Sequence, residues 1–393
     1  MPEDAKRLKE TALRNKKLMQ PMGLHFVHEP LDRPFMIIVL ILVVMGLIMM
    51  FSASFVDAYY YEGDGYLYIK KQAPLALVGL IAMYAASRLD YHIWKRFAWP
   101  LMGITYVLLV LVLFMSRTKG TKRWIYIGIF NFQPSEIAKF AVIVLFAYII
   151  SSNYKKMKTL TYGVFPFVLI LASLAGLLLL EPHLSGTMLI FAIGFIMMLV
   201  GGTRLIWFGA ALGFLIAGIA GAIIIKPDLV WYAQDRLRYW IDPWEDPLGL
   251  GHQVIQSIYA IGSGGLFGLG IGNSRQKHLY LPEPQNDFIF AIVCEELGFI
   301  GALMVIFLFI ALMWRGAVIA CKAKDRFGSM LVVGIITQVT VQAALNIAVV
   351  TKTIPNTGIS LPFFSYGGTS LMMLLGEMGV VLSVSRQSSI NTG

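Results

Sequence analysis

Runs of about 20 consecutive apolar residues recur along this chain, and no other feature constrains its fold as much. At a helical rise of ~1.5 Å per residue, each such run crosses a hydrocarbon core of ~30 Å. The clearest cover residues 34–56, 97–116, 159–180, 182–203, 205–225 and 327–351. Shorter or charge-interrupted runs cover 73–87, 134–153, 288–314 and 361–384, so ten spans are expected. Barrel strands would instead alternate in hydrophobicity over about ten residues. The expected fold is therefore all-α, a polytopic membrane protein with about ten transmembrane helices. Composition agrees, since 58% of the 393 residues are hydrophobic and 14% are charged. A soluble domain carries about 25% charge. A soluble enzyme, a nucleic-acid module and a disordered chain are excluded together.

The net charge of +10 bears on topology, because lysine and arginine collect in cytoplasmic loops. Residues 1–33 form a basic tail with Lys6, Arg7, Lys9, Arg14, Lys16, Lys17 and Arg33. The apolar run after it is too long for a signal-peptide core and has no small-residue cleavage site, so it reads as a retained first span. Ten spans then place both termini in the cytoplasm, with a membrane domain over 34–385 and a short C-terminus over 386–393. The inner segments so defined hold most of the lysines and arginines. One outer stretch breaks the trend with Arg117, Lys119, Lys122 and Arg123, which suits an anionic ligand there or a local error in topology. The longest non-spanning segment, 226–287, is expected outside the membrane between the seventh and eighth spans. It is aromatic at Trp231, Tyr232, Tyr239, Trp240 and Trp244 and glycine-rich from Gly262 to Gly272. Cys294 and Cys321 lie in an apolar run and a basic loop, which argues against a disulfide.

Ionisable groups in or beside a span are costly, so each is a functional candidate. Four clusters stand out near the expected outer face. In 133–139, Pro134 and Glu136 suit a helix start, but Lys139 does not. Glu136 and Lys139 share a helical face and form either a site pair or a structural ion pair. In 181–187, a tight turn carries Glu181, Pro182 and His183; turn chemistry explains the proline, and no ligand spacing for a metal is visible. In 281–296, Asp287 reads either as the N-cap of the eighth helix or as a general base at the membrane boundary. Glu295 and Glu296 follow roughly 12 Å deeper, where an unpaired charge is not expected. In 361–370, Ser365, Gly367 and Gly368 suit close helix packing or a broken helix lining a polar cavity. The glycine run is no dinucleotide fingerprint, and no Walker A motif is present.

Taken together, 122–124 with 132–139, 181–187, 256–272, 281–298 and 361–370 resemble the SEDS family (shape, elongation, division and sporulation) of bacterial peptidoglycan glycan polymerases. The stretches occur in the family's order across most of the membrane region. They look more like the FtsW/SpoVE division and sporulation branch than the RodA elongation branch. One departure is His183, where the family usually carries an aspartate. The resemblance implies lipid II as substrate, polymerised into glycan strands on the outer face of the bacterial cytoplasmic membrane. Asp287 matches the family's essential aspartate and would deprotonate the acceptor 4-hydroxyl. Arg123 and Lys139 would stabilise the departing lipid diphosphate, with Glu136 positioning Lys139. Gln133, Glu283 and Ser365 complete the expected substrate-binding set. A divalent cation, Mg or Mn, stays open as an aid to that charge. The expected partners are the growing strand, a class B penicillin-binding protein and other divisome or elongasome membrane proteins, with no nucleic acid. Two rival readings are a lipid II flippase and a scaffold that recruits the transpeptidase.

Overall fold

The computed structural model describes residues 29–115, 123–127, 130–181, 183–209, 238–249 and 251–388. Helices dominate: α1 Arg33–Glu62, α2 Leu67–Arg88, α3 His92–Leu113, α4 Pro134–Asn153, a short α5 Leu160–Gly163 running into α6 Phe165–Leu180, and α7 Leu184–Val200. They continue as α8 His252–Gly264, α9 Ile289–Cys321, α10 Arg326–Val350 and α11 Gly368–Arg386. Among the described residues, seven helical stretches are long and apolar enough to cross a membrane: α1, α3, α4 with its following turn, α5 with α6, α9, α10 and α11. Helix α7 is apolar but has 17 residues, and α2 carries Lys70, Lys71 and Arg88. The expected span at 205–225 lies outside the described residues beyond 209, as do 1–28, Arg117, Lys119, Lys122, Trp231 and Tyr232.

Three local features differ from the sequence expectation. A two-stranded antiparallel hairpin, β1 Ile125–Ile127 and β2 Phe130–Phe132, leads into α4. Its β-branched and aromatic residues favour strand pairing in a segment too short to span. The last helix starts at Gly368 rather than at 361, leaving a non-helical approach. The long segment 226–287 also folds on itself in its described part, where α8 packs on α9.

Helix ends follow local chemistry. The Asp32 carboxylate accepts the Phe35 N–H at 3.0 Å, and Gly63 at φ 74° closes α1. Asp325 caps α10 through the Gly328 N–H at 3.0 Å. Helix α4 is the centre of the bundle: all its residues from Ala138 to Ile150 are buried except Tyr148. Helices α3, α7 and α10 surround it. The pair α2 and α11 approach closely through Gly79 and Gly379; a Cβ on Gly379 would lie 2.3 Å from the Met83 carbonyl oxygen. Small residues at such crossings supply packing that lipid cannot. Apolar side chains that face away from the bundle, such as Ile41, Ile48, Phe307 and Ile310, are exposed to what is lipid in a membrane.

Helix α9 is broken at Gly298 (φ 70°, ψ −171°). The break frees backbone groups, and the glycine-rich run after α8 takes them up. The Leu269 and Gly270 N–H groups donate to the Glu295 and Glu296 carbonyls at 3.0 Å each. The Phe299 and Ile300 N–H groups donate back to the Gly265 and Leu266 carbonyls at 2.9 and 3.2 Å. Every freed group needs such a partner where water is scarce. A Cβ on Gly298 would stand 2.3 Å from the Gly268 nitrogen, so the contact requires glycine.

Candidate active site

Asp287 lies in the turn before α9 and is not its N-cap; Phe288 holds that place with no side-chain cap. The local capping explanation for the aspartate therefore fails. Its loop is tied from several elements. The Asn346 amide of α10 donates to the Asp287 carbonyl and to the Ile359 carbonyl, both at 2.7 Å. Ser365 donates to the Asn286 carbonyl at 2.6 Å and accepts the Leu361 N–H at 2.8 Å. The Tyr366 N–H reaches the Gln285 carbonyl at 2.8 Å, and Gln285 donates to Asp57 of α1 at 3.2 Å. Ser365 thus works here as a buckle between the 361–367 stretch and the Asp287 loop. Backbone approaches the carboxylate at Gly358, whose Cβ would stand 3.3 Å from Asp287 Oδ2.

The carboxyl of Asp287 is half-buried, and that burial pushes it up to about 6. The neighbouring Glu283 pushes the same way, and Arg123 opposes both. Glu283 is exposed, with φ 46°, and accepts the Asn286 amide at 2.9 Å. Its left-handed backbone turns the loop at Glu283, whose charge acts on Asp287. Arg123 donates to the Glu181 carbonyl at 3.3 Å and also acts electrostatically on Asp287, Glu181 and His183.

The α4 pair forms as its spacing implied: Lys139 Nζ is 2.8 Å from Glu136 Oε1, and both side chains are largely enclosed. Ser370 of α11 donates to Glu136 at 2.8 Å, and Lys139 reaches Gln342 of α10 at 3.4 Å. Gln133 ends the approach to α4 with its carbonyl accepting the Glu136 N–H at 3.1 Å. Glu181 is fully buried, and neither of its carboxylate oxygens has a hydrogen-bond partner. Burial pushes it up to about 8 against the pull of Arg123. His183 is 9% exposed with Nδ1 unpartnered, and burial with Arg123 pushes it down to about 4. Arg123, Glu136, Lys139 and His183 therefore form one electrostatic group, which meets Asp287 through Arg123.

Glu295 and Glu296 form a separate anchor. Glu295 accepts from Ser263 at 3.2 Å, from the Arg275 and Gln276 N–H groups at 3.0 and 3.3 Å, and from the Ser274 hydroxyl. Glu296 pairs with Lys277 at 2.9 Å and accepts from Ser52 at 2.7 Å. Both glutamates are thus partnered at depth, as physics requires. Sequence reasoning missed Asn346, Gln342 and Gln338, although amides four apart on one apolar helix face are a visible signal. It also missed Glu377 of α11, buried at 4% exposure and bonded to Gln338 at 2.9 Å. Among the described residues, no three His, Cys, Asp or Glu side chains gather to hold a metal. Asp287 and Glu283 are two carboxylates close enough to act on each other; a Mg-type ion commonly binds one or two such groups together with substrate phosphates.

Comparison with known proteins agrees over nearly the whole chain. Bacillus subtilis stage V sporulation protein E is 44% identical over 362 residues, covering 91% of this chain and 97% of that one. The probable peptidoglycan glycosyltransferase FtsW of Trichlorobacter lovleyi is 38% identical, covering 90% and 93%. A chain from the structure reported as "Structural coordination of polymerization and crosslinking by a peptidoglycan synthase complex" superposes with a TM-score of 0.74 at 27% identity, covering 91% and 98%. The model of the cell cycle protein family FtsW/RodA/SpoVE matches residues 32–390, and the chain belongs to that family of membrane proteins.

Proposed function

We propose that this protein is a peptidoglycan glycosyltransferase that polymerises lipid II on the outer face of the bacterial cytoplasmic membrane, in cell division or sporulation. The observation that carries this reading is the half-buried Asp287 carboxyl, which caps no helix, sits in a turn tied down by Asn346 and Ser365, and is lifted to about 6 with the Arg123 charge acting on it. Near neutral pH such a group is ionised yet basic enough to take a proton. Asp287 removes the proton of the acceptor sugar 4-hydroxyl. The freed oxygen attacks the anomeric carbon of the growing strand from the face opposite the lipid diphosphate. The diphosphate departs with the bonding electron pair, and the configuration inverts.

Negative charge builds on that diphosphate, so preorganised donors should lie opposite it. Arg123 is the main cation, because its charge acts on Asp287, Glu181 and His183 together. The Lys139 charge is shared with Glu136, so this pair orients more than it attracts. The N-termini of α4 and α7 add partial positive charge at the same end of the bundle. Gln133 and Glu283 flank the bound sugars, and Ser365 keeps the Asp287 loop in place. A class B penicillin-binding protein is the proposed partner, supported by the likeness to a chain of a polymerising and crosslinking complex.

The test is polymerisation of labelled lipid II by purified protein with its transpeptidase partner, with and without a chelator. Asp287→Ala is expected to lose roughly 10²–10⁴-fold in rate while keeping its elution profile and melting temperature. Undiminished polymer from that variant removes Asp287 from the chemistry. Lipid II translocation without polymer would favour the flippase reading instead.

A further inference from the structure

The segment that leads to Asp287 passes a concavity of about 410 Å³, lined by Arg275, Gln276, His278 and Tyr280. Its volume lies in the usual range for ligand pockets. None of these four residues belongs to the group around Arg123 and Glu136. The walls are held firmly. The Arg275 and Gln276 N–H groups are fixed on the Glu295 carboxylate, and the Leu281 N–H donates to the Gln276 carbonyl at 2.9 Å. His252 of α8 binds the Tyr280 carbonyl at 3.0 Å. Leu279, between His278 and Tyr280, is held at φ 67°, a conformation that persists only where surrounding structure enforces it.

The lining has a definite chemistry. The Arg275 guanidinium makes no ion pair among the described residues and offers a fork of donors to an anion. Gln276 Oε1 is a buried acceptor with no hydrogen-bond partner, so it calls for a hydroxyl or amide donor. Tyr280 is 58% exposed and lines the pocket with an aromatic ring, the kind of surface a sugar ring can pack on. A cation, a hungry acceptor and an aromatic platform together fit an anionic saccharide better than a bare phosphate, which would leave Gln276 unsatisfied.

We propose that this pocket is a second saccharide subsite, one that holds a carboxylate-bearing sugar-peptide unit of the glycan strand while its end reacts at Asp287. The proposal rests on the polymerase reading above and names where the strand is gripped beyond the reacting end. Arg275 takes the carboxylate, Gln276 accepts from a hydroxyl or amide, and Tyr280 supports the ring.

Binding is measured calorimetrically on the full chain in nanodiscs of neutral lipid, using lipid-free, uncrosslinked glycan oligomers that retain their peptide stems. The wild type should bind them. Arg275→Ala and Tyr280→Ala should each weaken binding about tenfold or more, the cost of one charge-assisted contact, with an unchanged melting temperature. A neutral chitin oligomer of equal length should bind at least tenfold more weakly than the anionic one. Equal affinity across wild type and both variants overturns the proposal. So does Arg275-dependent binding to phosphatidylglycerol nanodiscs with none to the oligomer, which would make the pocket a headgroup site. Lipid II polymerisation is assayed separately on the wild type. A chain that polymerises while Arg275→Ala binds the oligomer normally loses only the subsite. A chain that binds through Arg275 but forms no polymer keeps the subsite and loses the polymerase reading.

Discussion

At the scale of single residues, the decisive feature is how Asp287 is surrounded. Burial and Glu283 lift its carboxyl to about 6 against Arg123. The proposed base works only when deprotonated, so on that reading kcat/KM for lipid II should fall as pH drops through about 6 and level off above it. A pH-rate profile of the wild type checks this, and a limb near pH 4 would mean that burial does not perturb the working group. Gly358 is the second residue of consequence. Its φ of 65° and the 3.3 Å from its Cβ position to Asp287 Oδ2 leave no comfortable place for a methyl group. Gly358→Ala should lower kcat roughly tenfold or more, since small displacements of a reacting group are costly. It should also move the pH midpoint upward, because the methyl excludes more water from the carboxylate. Asp287 was legible from its motif and its place at the end of an apolar run. The raised pKa was not, because burial and the approach of Glu283 depend on a loop whose shape is set by Asn346, Ser365 and Tyr366 from distant parts of the chain.

At the scale of elements, the broken α9 matters most. Its second part, from Phe299 to Cys321, extends roughly 35 Å at ~1.5 Å per residue and suffices to cross a membrane by itself. The first part is thereby released to carry Glu295, Glu296 and the Asp287 turn inside the protein. Gly298→Ala should destabilise the fold by about 1–3 kcal/mol from backbone conformation alone, with the overlap against the Gly268 nitrogen adding to it. A fall in melting temperature together with reduced polymerisation would bear this out; an unchanged melting temperature would show that the junction is not under such constraint. The glycine run was visible in the sequence and excluded as a nucleotide loop, but its docking partner was not. Hydrogen bonds between 265–270 and 295–300 join segments about a helix apart, and backbone pairing leaves no mark on side-chain pattern. The hairpin before α4 was missed for a related reason, since three-residue strands carry too few positions for a period to show.

At the scale of the whole molecule, the end of the bundle opposite the site is closed by its own polar clamp. Tyr91 donates to Asp325 at 2.7 Å, His92 stands between Asp90 at 2.7 Å and Asp325 at 3.5 Å, and Gln387 reaches Asp90 at 3.1 Å. Asp32 pairs with Arg315 at 2.7 Å on α9. These contacts join the start of α1, the α2–α3 and α9–α10 turns and the end of α11. Burial alone would raise Asp90, but His92 and Gln387 hold it at about 2; Asp325 is likewise kept below the usual carboxylate range by His92, the Gly328 N–H and Tyr91. Carboxyls depressed on folding stabilise above their unfolded pKa, near 4, and that contribution is lost as pH falls through the folded values. Asp325→Ala should cost about 1–2 kcal/mol by removing the α10 cap and the tyrosine bond. Thermal unfolding should show this at pH 7, with the gap to wild type narrowing toward pH 2. Lipid II polymerisation below the melting point should be unaffected, and a matching loss of activity would show that the two ends are coupled.

The sequence by itself determined the membrane class, the approximate limits of most helices, the Glu136–Lys139 pair and the candidacy of Asp287. Each rests on short-range regularities: apolar runs matched to a hydrocarbon thickness, a three-residue spacing, a carboxylate at the end of a span. Only tertiary structure decided that Asp287 is no helix cap, that Ser365 is a buckle, that Lys277 neutralises Glu296, and that Glu377 lies buried beside Gln338. In lipid every polar group must find a partner inside the protein, and that partner is chosen by which helices meet rather than by neighbours along the chain.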